Sequence, residues 1–191
     1  VLNYALVPLH TAIFTPEEFG TISGLYAVAA FLNILLTFGM ETTYFRFATK
    51  TGEESIYQTA CTLILILTTL FCGSILIFKS NFASFIGYPE VPRIVGWLAI
   101  IVWIDALVAI PFARLRLEGK VGQFVFARVS NIVLIVLLNL LFLWLLPLAN
   151  SLSEYPGVST ISGKLFDPSL REGYVFLANL IASASLIILL R

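Results

Sequence analysis

The sequence predicts an all-α fold: a polytopic transmembrane helix bundle of about six spans, the first of them truncated. Three observations carry this. Hydrophobic residues make up 59% of the 191-residue chain and charged residues 12%, with a mean hydropathy of +0.98, a balance outside that of soluble domains. Charges gather in clusters separated by long runs almost free of them, and a run of about 20 apolar residues spans the hydrocarbon core as a helix. Lys and Arg are moderately biased towards the clusters assigned to one side, as they are across a membrane. Formal net charge is zero, so the placement of the charges is informative and their sum is not. Nothing in that balance points to nucleic acid as a partner.

The elements follow in order. VLNYALVPL is apolar and lacks the basic region of a signal peptide, so it reads as the end of a helix, a partial span over about 1–9. HTAIFTPEEFG, with two acids and no Lys or Arg, suits an external turn. Residues 19–40 carry no charge and give the next span, about 22–40. The GxxxG at Gly20 and Gly24 is either a mark of close packing or incidental at a helix start. ETTYFRFATKTGEES then reads as a mixed-charge inner loop holding Arg46 and Lys50. Residues 55–78 contain no charge and give the clearest span, 56–78, after which KSNFASFIGYPEVPR returns as an aromatic segment lying along the interface. Residues 94–113, interrupted only by Asp105, and residues 129–148 form two further spans. Between them RLRLEGKVGQFVFAR carries Arg114, Arg116, Lys120 and Arg128 against one carboxylate, Glu118. Trp97 and Trp144 fall at the outer ends of these spans, as an aromatic belt places them, and Trp103 lies deeper, against a neighbouring helix. A polar loop over 149–173 precedes the last span, 174–190. With the basic turn inside, seven Lys and Arg lie on the inner side and four on the outer, the bias of a cytoplasmic face.

Enzyme chemistry is poorly represented. GVSTISGKL, residues 157–165, imitates a phosphate-binding loop, but five residues separate its glycines where four are required, and Leu165 stands where a Ser or Thr would hold magnesium. There is no HExxH, no metal-spaced Cys or His cluster and no paired aspartates, so the chain is read as non-enzymatic, with no metal and no cofactor. Cys61 and Cys72, on one helix and about 16 Å apart along its axis, are too distant for a disulfide. His10 stands alone at a helix end and reads as an interfacial residue.

Polar residues inside the spans say more, because each is costly unless it finds a partner or water. Tyr26, Asn33, Thr37 and Glu41 recur at sevens and fours and share one face; Gln58, Thr62, Thr69 and Gly73 do the same. Arg128, Asn131 and Asn139 fall within an arc of about 80°, with Ile135 between them, and the last span adds Asn179 and Ser183. Such stripes enclose a hydrated or sugar-accommodating interior, unless they merely bond helix to helix. Asp105, midway along its span, costs roughly 2.5–3.5 kcal/mol at the membrane centre and marks either a coupling-ion or transport site or a structural pair. Arg46 and Arg128 lie near inner helix ends, where they either meet a substrate or snorkel to headgroups. The substrate-pathway candidates are thus Arg46, Arg128, Asn33, Glu41, Asn131 and Asn139, with Asp105 the coupling-ion candidate.

Three stretches together resemble a known family: FTPEEFG at 14–20, FGMETTYFRF at 38–47 and IPFARLRLEGK at 110–120. Their order and placement are similar to the Wzx-type oligosaccharide flippases of the multidrug/oligosaccharidyl-lipid/polysaccharide exporter superfamily. The resemblance implies two similar lobes of six or more helices each, of which this chain, residues 1–191, is most of the N-terminal one. It implies a bacterial cytoplasmic (inner) membrane location and a polyprenyl pyrophosphate-linked oligosaccharide as substrate. The further partners it implies are membrane lipids and polysaccharide-assembly proteins. By motif position Arg46 is the cation it carries over to meet the lipid pyrophosphate. A cation-coupled multidrug exporter of the same superfamily is the nearest alternative. A membrane glycosyltransferase or polymerase would need more carboxylates than Glu154, Asp167 and Glu172 provide.

Overall fold

The computed structural model describes residues 2–51, 53–145, 147–148 and 170–190, which are helical almost throughout. In order they form α1 (Leu2–Ile13), α2 (Pro16–Thr37), α3 (Met40–Thr51), α4 (Glu53–Ile77), a short α5 (Lys79–Phe85), α6 (Pro92–Leu117), α7 (Val121–Leu140) running into one π-helical turn (Leu141–Leu145), and α8 (Gly173–Leu189). No strand occurs among the described residues. The architecture is an all-α helical membrane bundle. The loop imitating a phosphate site, 157–165, lies outside the described residues.

Helix α6 is the hub. Its most apolar window is 67% buried inside the protein, against 11% to 28% for the three other helical stretches long and apolar enough to cross a membrane. It packs on α2, α3, α4, α5, α7 and α8. An almost uncharged sequence with small residues on several sides, Gly96, Ala99, Ala106, Ala109 and Ala113, lets neighbours approach all round. The outer helices instead turn large apolar side chains outward: Phe31 and Ile34 on α2, Ile66 and Leu70 on α4, Val129 and Leu137 on α7. A water-exposed surface does not carry such a belt, and a lipid-facing one does.

Several boundaries fall outside the apolar runs. Helix α2 starts at Pro16 because Thr15 caps it: its hydroxyl accepts the Glu18 amide while the Glu18 carboxylate accepts the Thr15 amide at 2.8 Å, a capping box with proline at the first position. The helix ends at Phe38 and Gly39, both left-handed, with φ of 46° and 64°. What reads in sequence as a mixed-charge loop is then helix α3. Its Glu41, Tyr44, Phe45 and Ala48 recur at helical spacing, and Tyr44 is fully buried. Helix α7 likewise begins at Val121 and takes in the residues VGQFVFAR. The GxxxG of α2 is not a helix-packing motif: Gly20 has open space around it, and a Cβ at Gly24 would collide with the Tyr88 hydroxyl from the turn before α6.

Candidate functional site

Polar groups within the bundle gather where α2, α6, α7 and α8 meet. Asn179 and Ser183 sit one turn apart on α8, so they face the same way. Asn179 Nδ2 donates to the Tyr26 hydroxyl of α2 at 3.5 Å, and the Tyr26 ring stacks on Phe176 with centroids 4.9 Å apart. Ser183 Oγ donates to Asp105 Oδ1 of α6 at 3.0 Å. Ser183 is 2% exposed, so little water can replace it as donor. Arg128 of α7 lies near enough for its charge to act on Asp105, without forming an ion pair with it. Its guanidinium lies over the Phe112 ring at 4.2 Å and within 6.0 Å of Phe124, while the residue remains exposed. Because α7 starts at Val121, Arg128 is about two turns inside the helix rather than near its end.

Asn131 and Asn139 continue the α7 stripe with different fates. Asn139 is fully buried: Nδ2 donates to the Ile135 carbonyl at 2.8 Å, and Oδ1 lies 3.3 Å from His10 Nε2 of α1. His10 is itself 5% exposed and packs edge-on against Phe14, so it is an interior residue and not the interfacial one its isolation in sequence implies. Asn131 Nδ2 is buried without a hydrogen-bond partner. That is a costly state for an amide donor, of order 1–3 kcal/mol, and one that a ligand hydroxyl or an ordered water would relieve.

The α2 stripe does not survive intact. Tyr26 faces α8, and Asn33 is half-buried, its carbonyl accepting from the Thr37 hydroxyl at 2.9 Å. The break at Phe38 and Gly39 puts Glu41 on a separate helix, where it pairs with Arg116 at 2.6 Å. Glu41 therefore ties α3 to the end of α6. Arg114 of α6 reaches Glu54 at 3.1 Å and Glu118 at 2.7 Å, and Lys120 reaches Glu118 at 2.6 Å. Those two cations, Lys120 the stronger, hold the Glu118 carboxyl below the usual carboxylate range. Arg46 lies on the exposed side of α3, 5.9 Å from the Phe47 ring centroid, and has further interactions. It is thus separate from the Asp105 cluster. On α4, Thr69 accepts from Trp103 Nε1 at 3.0 Å, the contact that the depth of Trp103 implies. Among the described residues, no group of three or more His, Cys, Asp or Glu is placed to hold a metal ion.

The arrangement can stabilise buried polar groups at several depths, with a cation, a carboxylate, a hydroxyl and amides. The sequence model of a family described as polysaccharide biosynthesis protein matches residues 11–152, about three-quarters of the chain. That stretch contains all three motifs that resemble the Wzx-type flippases, and the family lies in the same superfamily. No curated protein and no solved structure matches the chain. With apolar helices enough for several membrane crossings and a family match over most of its length, the chain belongs to the polysaccharide biosynthesis protein family.

Proposed function

We propose that this chain forms most of the N-terminal lobe of a flippase, which carries a polyprenyl pyrophosphate-linked oligosaccharide from the inner to the outer leaflet of the bacterial cytoplasmic membrane. Passing such a headgroup bare through hydrocarbon would cost several kcal/mol for each polar group left unsatisfied. A polar pathway lowers that barrier, and alternating access moves it from one side to the other as the lobes rock about a midplane site. No covalent step is required of the protein.

The observation that carries the reading is the combination on α7 of an exposed cation and a buried amide without a partner, Arg128 and Asn131, beside a carboxylate held in the bundle. An anionic headgroup calls for the first, and sugar hydroxyls satisfy the second. Asp105, bonded to Ser183 within an apolar helix, is the position for a coupling cation or proton. Asn33, Glu41 and Asn139 act in this scheme by fixing the helices that frame the pathway.

Arg128 provides the test. In a strain lacking the full-length protein, Arg128→Gln should abolish most surface polysaccharide. Arg128→Lys, which keeps the charge but lacks the planar fork, should restore only part. Protein level in the membrane is measured alongside. Full complementation by the Gln variant at normal abundance would remove Arg128 from the substrate path.

A further inference from the structure

The basic residues around the turn between α6 and α7 are of two kinds. Arg114 pairs with Glu54 and Glu118, Arg116 with Glu41, and Lys120 with Glu118. Arg128 is different: among the described residues it forms no ion pair, and its guanidinium is set against aromatic rings instead. It lies over Phe112 of α6, 4.2 Å from the ring centroid, and 6.0 Å from the centroid of Phe124. Phe124 is one turn before it on α7, and the two rings meet edge to face, with centroids 5.5 Å apart and planes at 82°. The negative face of such a ring attracts a cation, and arginine is the commoner partner.

The ring beneath Arg128 is itself held. Phe112 is fully buried in a small core of its own with Val108 of α6, Ala127 of α7 and Leu186 of α8, and Phe124 packs against that group. Arg116, fixed by Glu41 at 2.6 Å, lies over Phe124 as well, at 5.6 Å. Three helices thus secure the ring, while Arg128 remains exposed. An aromatic face attracts the cation as a whole, whereas the five N–H donors lie in the guanidinium plane. A carboxylate partner would occupy those donors and offset the charge, and a phenyl ring does neither. Holding a long side chain in place beforehand also lowers the ordering cost of binding.

We propose that Phe112, with Phe124 beside it, is a positioning residue for the proposed transfer: its ring holds the Arg128 guanidinium in place and leaves the N–H donors for the anionic group of the substrate. This rests on the reading of Arg128 as a substrate contact and adds the reason that so exposed a side chain keeps one position. Phe112 acts through Arg128 and does not itself touch the substrate.

The test is transfer of a lipid-linked oligosaccharide by the full-length protein in proteoliposomes, read as the substrate concentration at half-maximal rate and as the rate at saturation, with the amount of folded protein matched. Replacing Phe112 by a trifluorinated phenylalanine nearly keeps its shape and withdraws negative charge from the ring face; Phe112→Leu removes the ring. Both should raise the half-saturating concentration and leave the saturating rate nearly unchanged. For the fluorinated ring the rise should be about two- to fivefold, the range of an exposed cation–π contact. In an Arg128→Gln background, where the cation is gone, the fluorinated ring should change nothing further. A half-saturating concentration that ignores fluorination, or that rises as much in the Arg128→Gln background as in the wild type, overturns the proposal and leaves the flippase reading standing. A loss confined to Phe112→Leu and matched by a loss of folded protein makes Phe112 a core residue alone and overturns it too. Wild-type protein that transfers nothing removes the flippase reading, and the positioning role with it.

Discussion

Removing the Ser183 hydroxyl isolates the one hydrogen bond that the structure gives the Asp105 carboxylate across the α6–α8 interface. Ser183→Ala deletes the donor 3.0 Å from Oδ1, and at 2% exposure the site admits little water to replace it. A hydrogen bond to a charged group is worth about 1.5–3 kcal/mol in soluble proteins. Between membrane helices double-mutant cycles average nearer ~0.6 and reach ~1.7 kcal/mol, because the unfolded state in lipid also finds partners. The coupling between Ser183→Ala and Asp105→Ala is therefore expected at about 0.6–2 kcal/mol. In an Asp105→Asn background, where the acceptor is neutral, the cost of Ser183→Ala should fall. The assay is reversible unfolding of the full-length protein in a bilayer mimic, with all single and double variants in parallel. Additivity within the ~0.3–0.5 kcal/mol usual for independent sites would refute the inference that Ser183 holds the carboxylate.

Two other outcomes follow from the fold. Cysteines placed at exposed positions at the two ends of the bundle, Gln123→Cys and Glu90→Cys, with Cys61 and Cys72 replaced, should differ towards an impermeant thiol reagent. In intact cells Glu90→Cys reacts and Gln123→Cys reacts only after permeabilisation; the reverse would invert the orientation. Gly39 has φ of +64° and open space, with nothing within 4 Å of where a Cβ would sit, so Gly39→Ala should lower stability by a purely conformational ~1–2 kcal/mol. An unchanged melting temperature would show that the α2–α3 break relaxes to ordinary helix.

The long apolar helices were legible in the sequence; their ends and the charged α3 were not. Hydropathy alone starts the second span near residue 22, yet the Thr-Pro-Glu-Glu before it is a capping signal that moves the start to Pro16. Charge hides α3, although Glu41, Tyr44, Phe45 and Ala48 have helical spacing, because an apolar-run criterion discards any segment holding Glu41, Arg46 and Lys50. The polar residues of the candidate site were legible one helix at a time. Their pairing was not: Asp105 with Ser183 and His10 with Asn139 lie 78 and 129 residues apart. Which helices adjoin is decided by packing around α6, through Ala99, Ala106 and Ala113, and one sequence does not encode neighbour order as a local pattern.

The most direct test of the proposed function is transfer of a fluorescent lipid-linked oligosaccharide across proteoliposomes containing the full-length protein, read as the fraction of headgroup inaccessible to a membrane-impermeant quencher over time. The account predicts transfer faster than in protein-free liposomes, slowed several-fold by Arg128→Gln at equal protein content. Folded, correctly oriented wild-type protein that gave no transfer above the protein-free rate, across a range of pH and sodium gradients, would contradict it.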